Sequence, residues 1–279
     1  MPPDRAPLPL RHAIALGLAQ GPTELLPVSS SGHTALIPWL LGWRYDALEP
    51  ESRKAFEVAL HAGGGVALAI ATRRQLSAAV RELDRRLGVV MMLSLAPPAV
   101  AGLLLRGPIE RRLSAPRPIA VALVAGAAAM ALADAGPPQG RRALAQAGPA
   151  DGLALGLAQA LALVPGVSRS GATLAAARAR GFGRRDAHTL SWQVALPVIV
   201  GAGGLETLRM ARRGVPREVR MALAGGAGSA FVSTLLSARL LGGAGARRGG
   251  RALGPYALYR CLLAGVVVRR LRSAHNRDG

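Results

Sequence analysis

Apolar residues along the chain form long runs, and short arginine-rich segments such as 73–87 and 106–117 separate them as connecting loops do in membrane proteins. Six runs approach the about 20 residues that a helix needs to cross the hydrocarbon core of a bilayer. These runs are residues 55–72, 88–105, 118–135, 190–208, 220–241 and 255–268. The pattern predicts an all-α polytopic membrane protein with about six transmembrane helices, and residues 1–279 form a single integral membrane domain.

Two further apolar runs, residues 12–42 and 152–177, are interrupted in the middle by polar sequences. The first contains PVSSSGH at 27–33, and the second contains PGVSRSG at 165–171. Non-helical polar backbone is tolerated at membrane depth only where it is buried in protein or lines a wet cavity. Each run is therefore predicted to be a re-entrant helix–loop–helix that enters and leaves the membrane on the same side.

The two interrupted runs are related by an internal repeat. Residues 17–34 align with 156–173 without a gap, and nine of the eighteen positions are identical. Such self-similarity indicates a duplication. The first repeat then covers 12–135 and the second 152–268, each with one re-entrant unit and three spans, which requires the second to be inverted. In inverted repeats the broken helices meet near the midplane and form the binding site.

The composition narrows the class of protein. The 35 basic and 15 acidic residues give a net charge of +20, with Lys54 as the only lysine. Because the arginines lie between apolar runs, we expect no nucleic-acid partner. A hydrophobic fraction of 51% excludes disorder, and the single Cys261 excludes an internal disulfide.

Arg239 and Arg260, inside predicted spans, are interpreted as pairing or snorkelling residues. The arginines divide about equally between the two predicted sides, so charge alone does not fix the orientation.

The positions at which the two loops differ carry the candidate chemistry. Ser30 in the first loop aligns with Arg169 in the second, whereas Glu24 and His33 have apolar counterparts. Free backbone N–H groups at a helix start attract anions, and a guanidinium binds phosphate oxygens with two parallel hydrogen bonds. The two loops together predict a phosphate or diphosphate pocket with a carboxylate, a hydroxyl and an imidazole on one wall.

Each of these residues also has a structural explanation. Glu24 could pair with Arg169 and have no other role, and the serines could be helix caps and nothing more. His33 could be an interior histidine with its hydrogen bonds satisfied. An ionisable group inside a membrane costs about 3 kcal/mol on insertion scales, so such groups are candidates for function. Glu24, Ser29, Ser30 and His33 all lie within ten residues of one another and face the loop that holds Arg169, which favours a functional site. Glu57, on the next span, is a supporting candidate.

The two loops resemble the paired signatures of the bacterial undecaprenyl pyrophosphate phosphatases, also known as the bacitracin-resistance proteins. The matching positions are Gly21, Thr23, Glu24, Leu26, Pro27, Ser29, Ser30, Gly32 and His33 in the first loop, and Pro165, Gly166, Ser168, Arg169, Ser170, Gly171 and Thr173 in the second. Weaker similarity covers nearly the whole chain. The family commonly has a second glutamate where this chain has Gln20, so a mechanism in which two carboxylates hold a metal ion is in doubt.

The resemblance implies hydrolysis of undecaprenyl pyrophosphate to undecaprenyl phosphate and phosphate, which renews the lipid carrier for peptidoglycan synthesis and gives bacitracin resistance. It implies a multi-pass protein of the bacterial plasma membrane with a site facing the extracytoplasmic side. The partners are then a polyprenyl diphosphate substrate and membrane lipid, and an oligomer is left open. No organic cofactor is expected. A divalent cation, magnesium or calcium, is a possible cofactor, and Glu24 is its possible ligand.

The residue types fit that task, because phosphoryl transfer depends mainly on positioning and charge stabilisation. Arg169 would neutralise the diphosphate, and Ser30 would attack it or hold the phosphate that water attacks. His33 would transfer protons, while Glu24 would orient His33, activate water or hold the cation. The predicted substrate-binding residues are Gln20, Ser29, Ser168, Ser170, Gly171 and Thr173.

Two other functions are weighed against the phosphatase. A second lipid-phosphatase family also has a Ser-Gly-His element, but it requires a histidine at fixed spacing after Ser-Arg, and no histidine follows Arg169 until His188. A polyprenyl-phosphate transporter would use the same inverted-repeat plan. A carrier needs the anion-binding groups, however, and only a hydrolase needs Glu24 and His33 beside them.

Overall fold

A computed structural model describes most of the chain, namely residues 8–45, 47–81, 83–213, 217–247 and 252–278. These residues form twelve α-helices, a single 3-10 turn at Leu144–Gln146 and no β-strand. The helices are α1 Leu10–Leu25, α2 Ser30–Leu41, α3 Pro50–Ala71, α4 Arg73–Arg81, α5 Arg85–Leu104, α6 Arg106–Leu113, α7 Pro116–Ala133, α8 Pro149–Leu161, α9 Arg169–Ala179, α10 Arg184–Arg213, α11 Arg217–Arg247 and α12 Gly254–Asp278. The predicted all-α class is confirmed.

Four helices of the described chain are long and apolar enough to cross a membrane. They are α3, α5, α7 and the part of α11 at Val219–Leu241, and they coincide with four of the six predicted spans. The other two predicted spans, 190–208 and 255–268, are helical as parts of α10 and α12, but they are not among the four. In α12 the apolar length is interrupted by arginines, including Arg260 and Arg269. The membrane class is thus confirmed, and the count of six stays a prediction.

The sequence pattern suggests that the arginine-rich segments 73–87 and 106–117 are simple loops, but the structure shows that they are not. They contain the short helices α4 and α6. Arginine, leucine and alanine all have a high helix propensity, so a polar connection between spans can be helical without crossing the membrane.

Both interrupted runs fold back on themselves as helical hairpins. The ring of His12, at the start of α1, stacks on Trp43 just after α2, with the ring centroids 3.9 Å apart. In the second unit Asp151, at the start of α8, forms an ion pair of 2.7 Å with Arg180, which follows α9. The outer ends of each hairpin therefore lie together, as a re-entrant unit requires.

Each hairpin packs against a helix of the other half of the chain. The first helix of the first hairpin, α1, packs on α11, while α8 packs on α5. Both contacts are close, because a side-chain carbon at Gly17 or Gly21 would collide with the backbone of α11, and at Gly152 or Gly156 with that of α5. Small residues spaced four apart allow such close approach of membrane helices. The packing of each hairpin on the other half of the chain fits the predicted pair of repeats, and the inverted orientation of the repeats stays a prediction.

Asp134, directly after α7, joins several helix ends on one side of the molecule. Its carboxylate accepts hydrogen bonds from Arg178 Nε at 3.0 Å, Arg184 Nη2 at 2.8 Å and the Leu253 N–H at 2.9 Å. Burial opposes ionisation, but the hydrogen bonds from Arg184 and Leu253 outweigh it and hold the pKa of Asp134 below its ordinary value. Because the folded-state pKa is lowered, this stabilisation is present above the unfolded pKa and is lost as the pH falls through the folded pKa.

Candidate active site

The two loops share one local backbone geometry at the start of α2 and α9. Ser29 and Ser168 precede these helices with φ values of 77° and 69°, the left-handed region that non-glycine residues rarely adopt. Each side chain caps its helix, since its Oγ accepts a hydrogen bond from the N–H of Gly32 at 3.3 Å or of Gly171 at 3.2 Å. Strained backbone of this kind concentrates at functional sites, and here it occurs at aligned positions of the repeat.

The two loops also touch each other. Ser29 Oγ accepts a second hydrogen bond, of 3.1 Å, from the N–H of Gly166 in the second loop. Gly166 has a φ of 99°, and a side-chain carbon there would lie 2.7 Å from the carbonyl oxygen of Ile119 in α7. Only glycine fits this position without displacing the loop from α7.

Arg260 of α12 fastens both loops to α7. Its side chain is fully buried, and within the described part of the chain its N–H groups donate hydrogen bonds only to backbone carbonyls. The acceptors are Gly166 at 2.7 Å, Val167 at 2.9 Å, Leu123 at 3.2 Å, Ala122 at 3.3 Å and Pro27 at 3.4 Å. The interpretation as a snorkelling residue is therefore wrong, because the guanidinium points inward and is satisfied by carbonyls of the two loops and of α7.

The predicted carboxylate, hydroxyl and guanidinium lie together where the loops meet. Glu24 Oε1 accepts a hydrogen bond of 3.1 Å from Arg169 Nη2, and Oε2 accepts one of 2.6 Å from Ser30 Oγ. Gln20, one turn earlier on α1, donates to the same Oε2 from 3.3 Å. We call Gln20, Glu24, Ser30 and Arg169 the carboxylate cluster.

His61 of α3 extends this cluster, although no motif surrounds it in the sequence and the pattern there favours a structural role. Its Nδ1 lies 3.1 Å from Gln20 Nε2 and 3.9 Å from Glu24 Oε2. The only signal available was its spacing of one helical turn from Glu57. Glu57 itself does not join the cluster, since it lies 3.6 Å from the ammonium of Lys54.

His33 has partners other than the expected Glu24. Its Nδ1 lies 2.8 Å from the carbonyl oxygen of Ser29, and its Nε2 lies 2.7 Å from the hydroxyl of Tyr259 in α12. The two rings are nearly parallel, at 4°. Sequence analysis did not single out Tyr259 as a site residue, because it lies 226 positions away along the chain.

The remaining predicted substrate-binding residues lie in the second loop. Ser170 Oγ is 3.3 Å from Ser168 Oγ, which caps α9. Thr173 is fully buried, and its hydroxyl bonds to the Arg169 carbonyl at 2.9 Å and to Ser191 Oγ at 2.5 Å. These hydroxyls hold the turn that carries Arg169, and a direct contact between them and the substrate stays a prediction.

The carboxylate cluster can bind an anion and activate a hydroxyl. In the described part of the chain only one N–H of Arg169 has an acceptor, and its side chain is 20% exposed. The other donors are thus available to a phosphate. The short Ser30–Glu24 hydrogen bond places a nucleophile beside a base. No group of three or more potential metal-ligating side chains occurs among the described residues.

Broken helices bring an arginine anion site against a hydroxyl–carboxylate pair. This arrangement places the protein among the polytopic helical membrane proteins that bind and process a phosphorylated ligand.

Comparison with known proteins narrows this class to a family. Residues 13–267 match the family described as bacitracin resistance protein BacA. The chain is 37% identical over 274 residues to an undecaprenyl-diphosphatase of Geobacter sulfurreducens, covering 94% of this chain and 98% of that protein. It is 40% identical over 243 residues to that of Geobacter metallireducens, with coverages of 82% and 87%. The chain belongs to the BacA family.

Proposed function

We propose that this protein hydrolyses undecaprenyl pyrophosphate to undecaprenyl phosphate and phosphate at the carboxylate cluster. The observation that carries the proposal is the 2.6 Å hydrogen bond from Ser30 to Glu24 beside the partly unpaired Arg169. The relatives named undecaprenyl-diphosphatase support the same activity for this chain. The product is the lipid carrier for peptidoglycan synthesis, so its renewal accounts for the bacitracin resistance in the family's name.

Binding of the diphosphate rearranges the ion pair between Glu24 and Arg169. The diphosphate competes for the guanidinium, which turns towards the phosphate oxygens and leaves Glu24 free to accept a proton. Ser30 Oγ then attacks the terminal phosphorus, its proton passes to Glu24, and the bond to the bridging oxygen breaks. Water subsequently releases phosphate from the serine. If water attacks directly, Glu24 takes the proton from water instead, and Ser30 holds the phosphate.

A divalent cation is compatible with this cluster if it arrives with the substrate. Magnesium is commonly held by one or two carboxylates together with substrate phosphates. Glu24 supplies one carboxylate, and the side-chain oxygen of Gln20 is buried without a partner among the described residues. These two groups would hold the ion, which would neutralise charge on the diphosphate.

The site is proposed to open towards the extracytoplasmic side of the plasma membrane, between inverted repeats of residues 12–135 and 152–268. The close hairpin contacts and the aligned turns at Ser29 and Ser168 support the pair of repeats, whereas the proposed side of the membrane rests on the resemblance to the family. A transporter would need only the anion site. The Ser30–Glu24 pair favours hydrolysis, because a carrier has no use for an activated hydroxyl.

The experiment that tests the function is phosphate release from undecaprenyl pyrophosphate by the purified protein in detergent. Wild type is compared with Arg169→Ala, and with Arg185→Ala as a matched arginine outside the cluster. We expect turnover by wild type and the control and its loss in Arg169→Ala, with and without magnesium or calcium. Tight lipid binding without phosphate release by wild type would instead indicate a carrier.

Ser30→Ala is expected to lower turnover by at least about 100-fold, because the variant lacks the activated nucleophile. Wild type quenched with acid during turnover should then carry phosphate on Ser30, detectable by mass spectrometry. Ser31→Ala is the control, since that neighbouring hydroxyl is exposed and has no contact with Glu24. Near-normal turnover of Ser30→Ala would indicate direct attack by water.

Gln20→Glu is expected to leave turnover equal or higher and to strengthen its dependence on a divalent cation. The new carboxylate would stand beside Glu24, and a bound divalent cation would balance the added charge. Gln159→Glu is the matched control at the aligned position of the second repeat, where the amide donates to the Ser94 carbonyl at 3.1 Å. It should lower stability without raising turnover. A large loss of turnover in Gln20→Glu would mean that the site requires the amide.

A further inference from the structure

The hydrogen bonds of His33 fix which ring nitrogen carries the proton. A carbonyl oxygen only accepts hydrogen bonds, so Nδ1, at 2.8 Å from the Ser29 carbonyl, must be protonated. In the neutral ring Nε2 is then an acceptor, and the hydroxyl of Tyr259 donates to it at 2.7 Å. Both nitrogens are therefore engaged, and neither has a contact with Glu24 among the described residues.

Tyr259 is the accessible member of this pair. It is 44% exposed, whereas His33 is 6% exposed. The next residue, Arg260, binds the carbonyls of Gly166 and Val167, so this turn of α12 is fixed to the loop that carries Arg169. A proton that leaves or reaches Nε2 must pass through the hydroxyl of Tyr259 unless the hydrogen bond first breaks.

We propose that Tyr259 relays a proton from His33 to the departing undecaprenyl phosphate, an inference that rests on the proposed function. In this step the bond between the terminal phosphorus and the bridging oxygen breaks, and that oxygen takes the phenolic proton. The phenol oxygen takes the Nε2 proton of the His33 imidazolium in turn. The ring is left neutral with its proton on Nδ1, as the hydrogen bonds in the structure require. Solvent protonates Nε2 again, through the hydroxyl of Tyr259, only when the next diphosphate binds and brings its negative charge.

The relay assigns the base and the acid of the reaction to different residues. Glu24 faces the attacking hydroxyl of Ser30 and serves as the base, while His33 and Tyr259 serve the leaving group as the acid. General acid and base catalysis each contribute about 10²- to 10⁴-fold in enzymes. The loss of one relay hydroxyl is therefore expected to be measurable without affecting the rest of the site.

Tyr259→Phe tests the relay because it removes one oxygen atom and keeps the ring. We expect kcat to fall by at least about tenfold with KM and melting temperature unchanged. His33→Gln should show a similar or larger loss, and the double variant should be no worse than His33→Gln, because the two residues act as one unit. Tyr256→Phe, one turn earlier on α12, is the matched control and should retain wild-type turnover. Normal turnover of Tyr259→Phe, or multiplied losses in the double variant, would overturn the relay.

Nitrogen-15 NMR of the histidine rings provides a readout that does not depend on turnover. The His33 signals, assigned by their absence from His33→Gln, should indicate a neutral ring protonated at Nδ1 in wild type. In Tyr259→Phe the Nε2 signal should shift towards that of a nitrogen without a hydrogen bond. A ring protonated at Nε2 in the substrate-free wild type would refute the proposal. A wild type that releases no phosphate would refute the proposed function, whereas active wild type and Tyr259→Phe would refute the relay alone.

Discussion

Glu24→Gln is expected to lower kcat for undecaprenyl pyrophosphate by at least about 10³-fold, the largest catalytic loss of any single conservative change in this chain. The amide has the same shape, but it cannot take the proton of the Ser30 hydroxyl. In the wild-type protein Ser30 Oγ lies 2.6 Å from Glu24 Oε2. The substitution also releases Arg169 from its ion pair with Glu24. The diphosphate then no longer competes with the carboxylate for the guanidinium, so KM should stay equal or fall.

This separation of kcat from KM is what distinguishes a base from a structural partner. The measurement is a Michaelis–Menten series of phosphate release in detergent, with the melting temperature as a check on folding. Glu110→Gln serves as the matched control, since Glu110 pairs with Lys54 and Arg106 on an exposed surface. If Glu24→Gln retains more than about a tenth of wild-type kcat, Glu24 only holds Arg169 and another group is the base.

The carboxylate cluster could be predicted because its members lie in two short sequences of unusual composition. Glu24 and Ser30 are six positions apart, and Arg169 occupies the position of Ser30 in the aligned loop. Polar loops inside apolar runs must be buried together, so the sequence alone placed them in one site. The helical class and four of the spans follow from apolar runs for a similar reason.

The partners of His33 could not be predicted from the same reasoning. Its nearness to Glu24 in sequence suggested contact, but α1 ends at Leu25 and α2 begins at Ser30, so the two side chains leave different helices. The direction of the His33 ring depends on Tyr259, which a tertiary contact of α12 brings to it. The sequence does not place His61 or Arg260 in the site for the same reason, because each joins it through packing between distant helices.

Arg260→Met is expected to lower the melting temperature by roughly 10 °C and to abolish measurable turnover. Methionine fills similar space, but it leaves buried carbonyls of both loops without donors, and each unsatisfied buried group costs about 1–3 kcal/mol. Because these carbonyls belong to Pro27, Gly166 and Val167, the loss falls on the turns that carry the carboxylate cluster. Arg260→Lys should show an intermediate effect, since an ammonium has three donors against the five of a guanidinium.

The measurement is thermal unfolding in detergent, followed by phosphate release at a temperature well below each variant's melting point. Arg239→Met is the matched control, because this arginine also lies in a long helix, α11, but is exposed. It should leave both quantities near wild type. A stable Arg260→Met with normal turnover would mean that the loops hold their shape without the guanidinium, through the caps of Ser29 and Ser168 alone. A variant that is stable but inactive would instead place the role of Arg260 in the geometry of the site rather than in the stability of the fold.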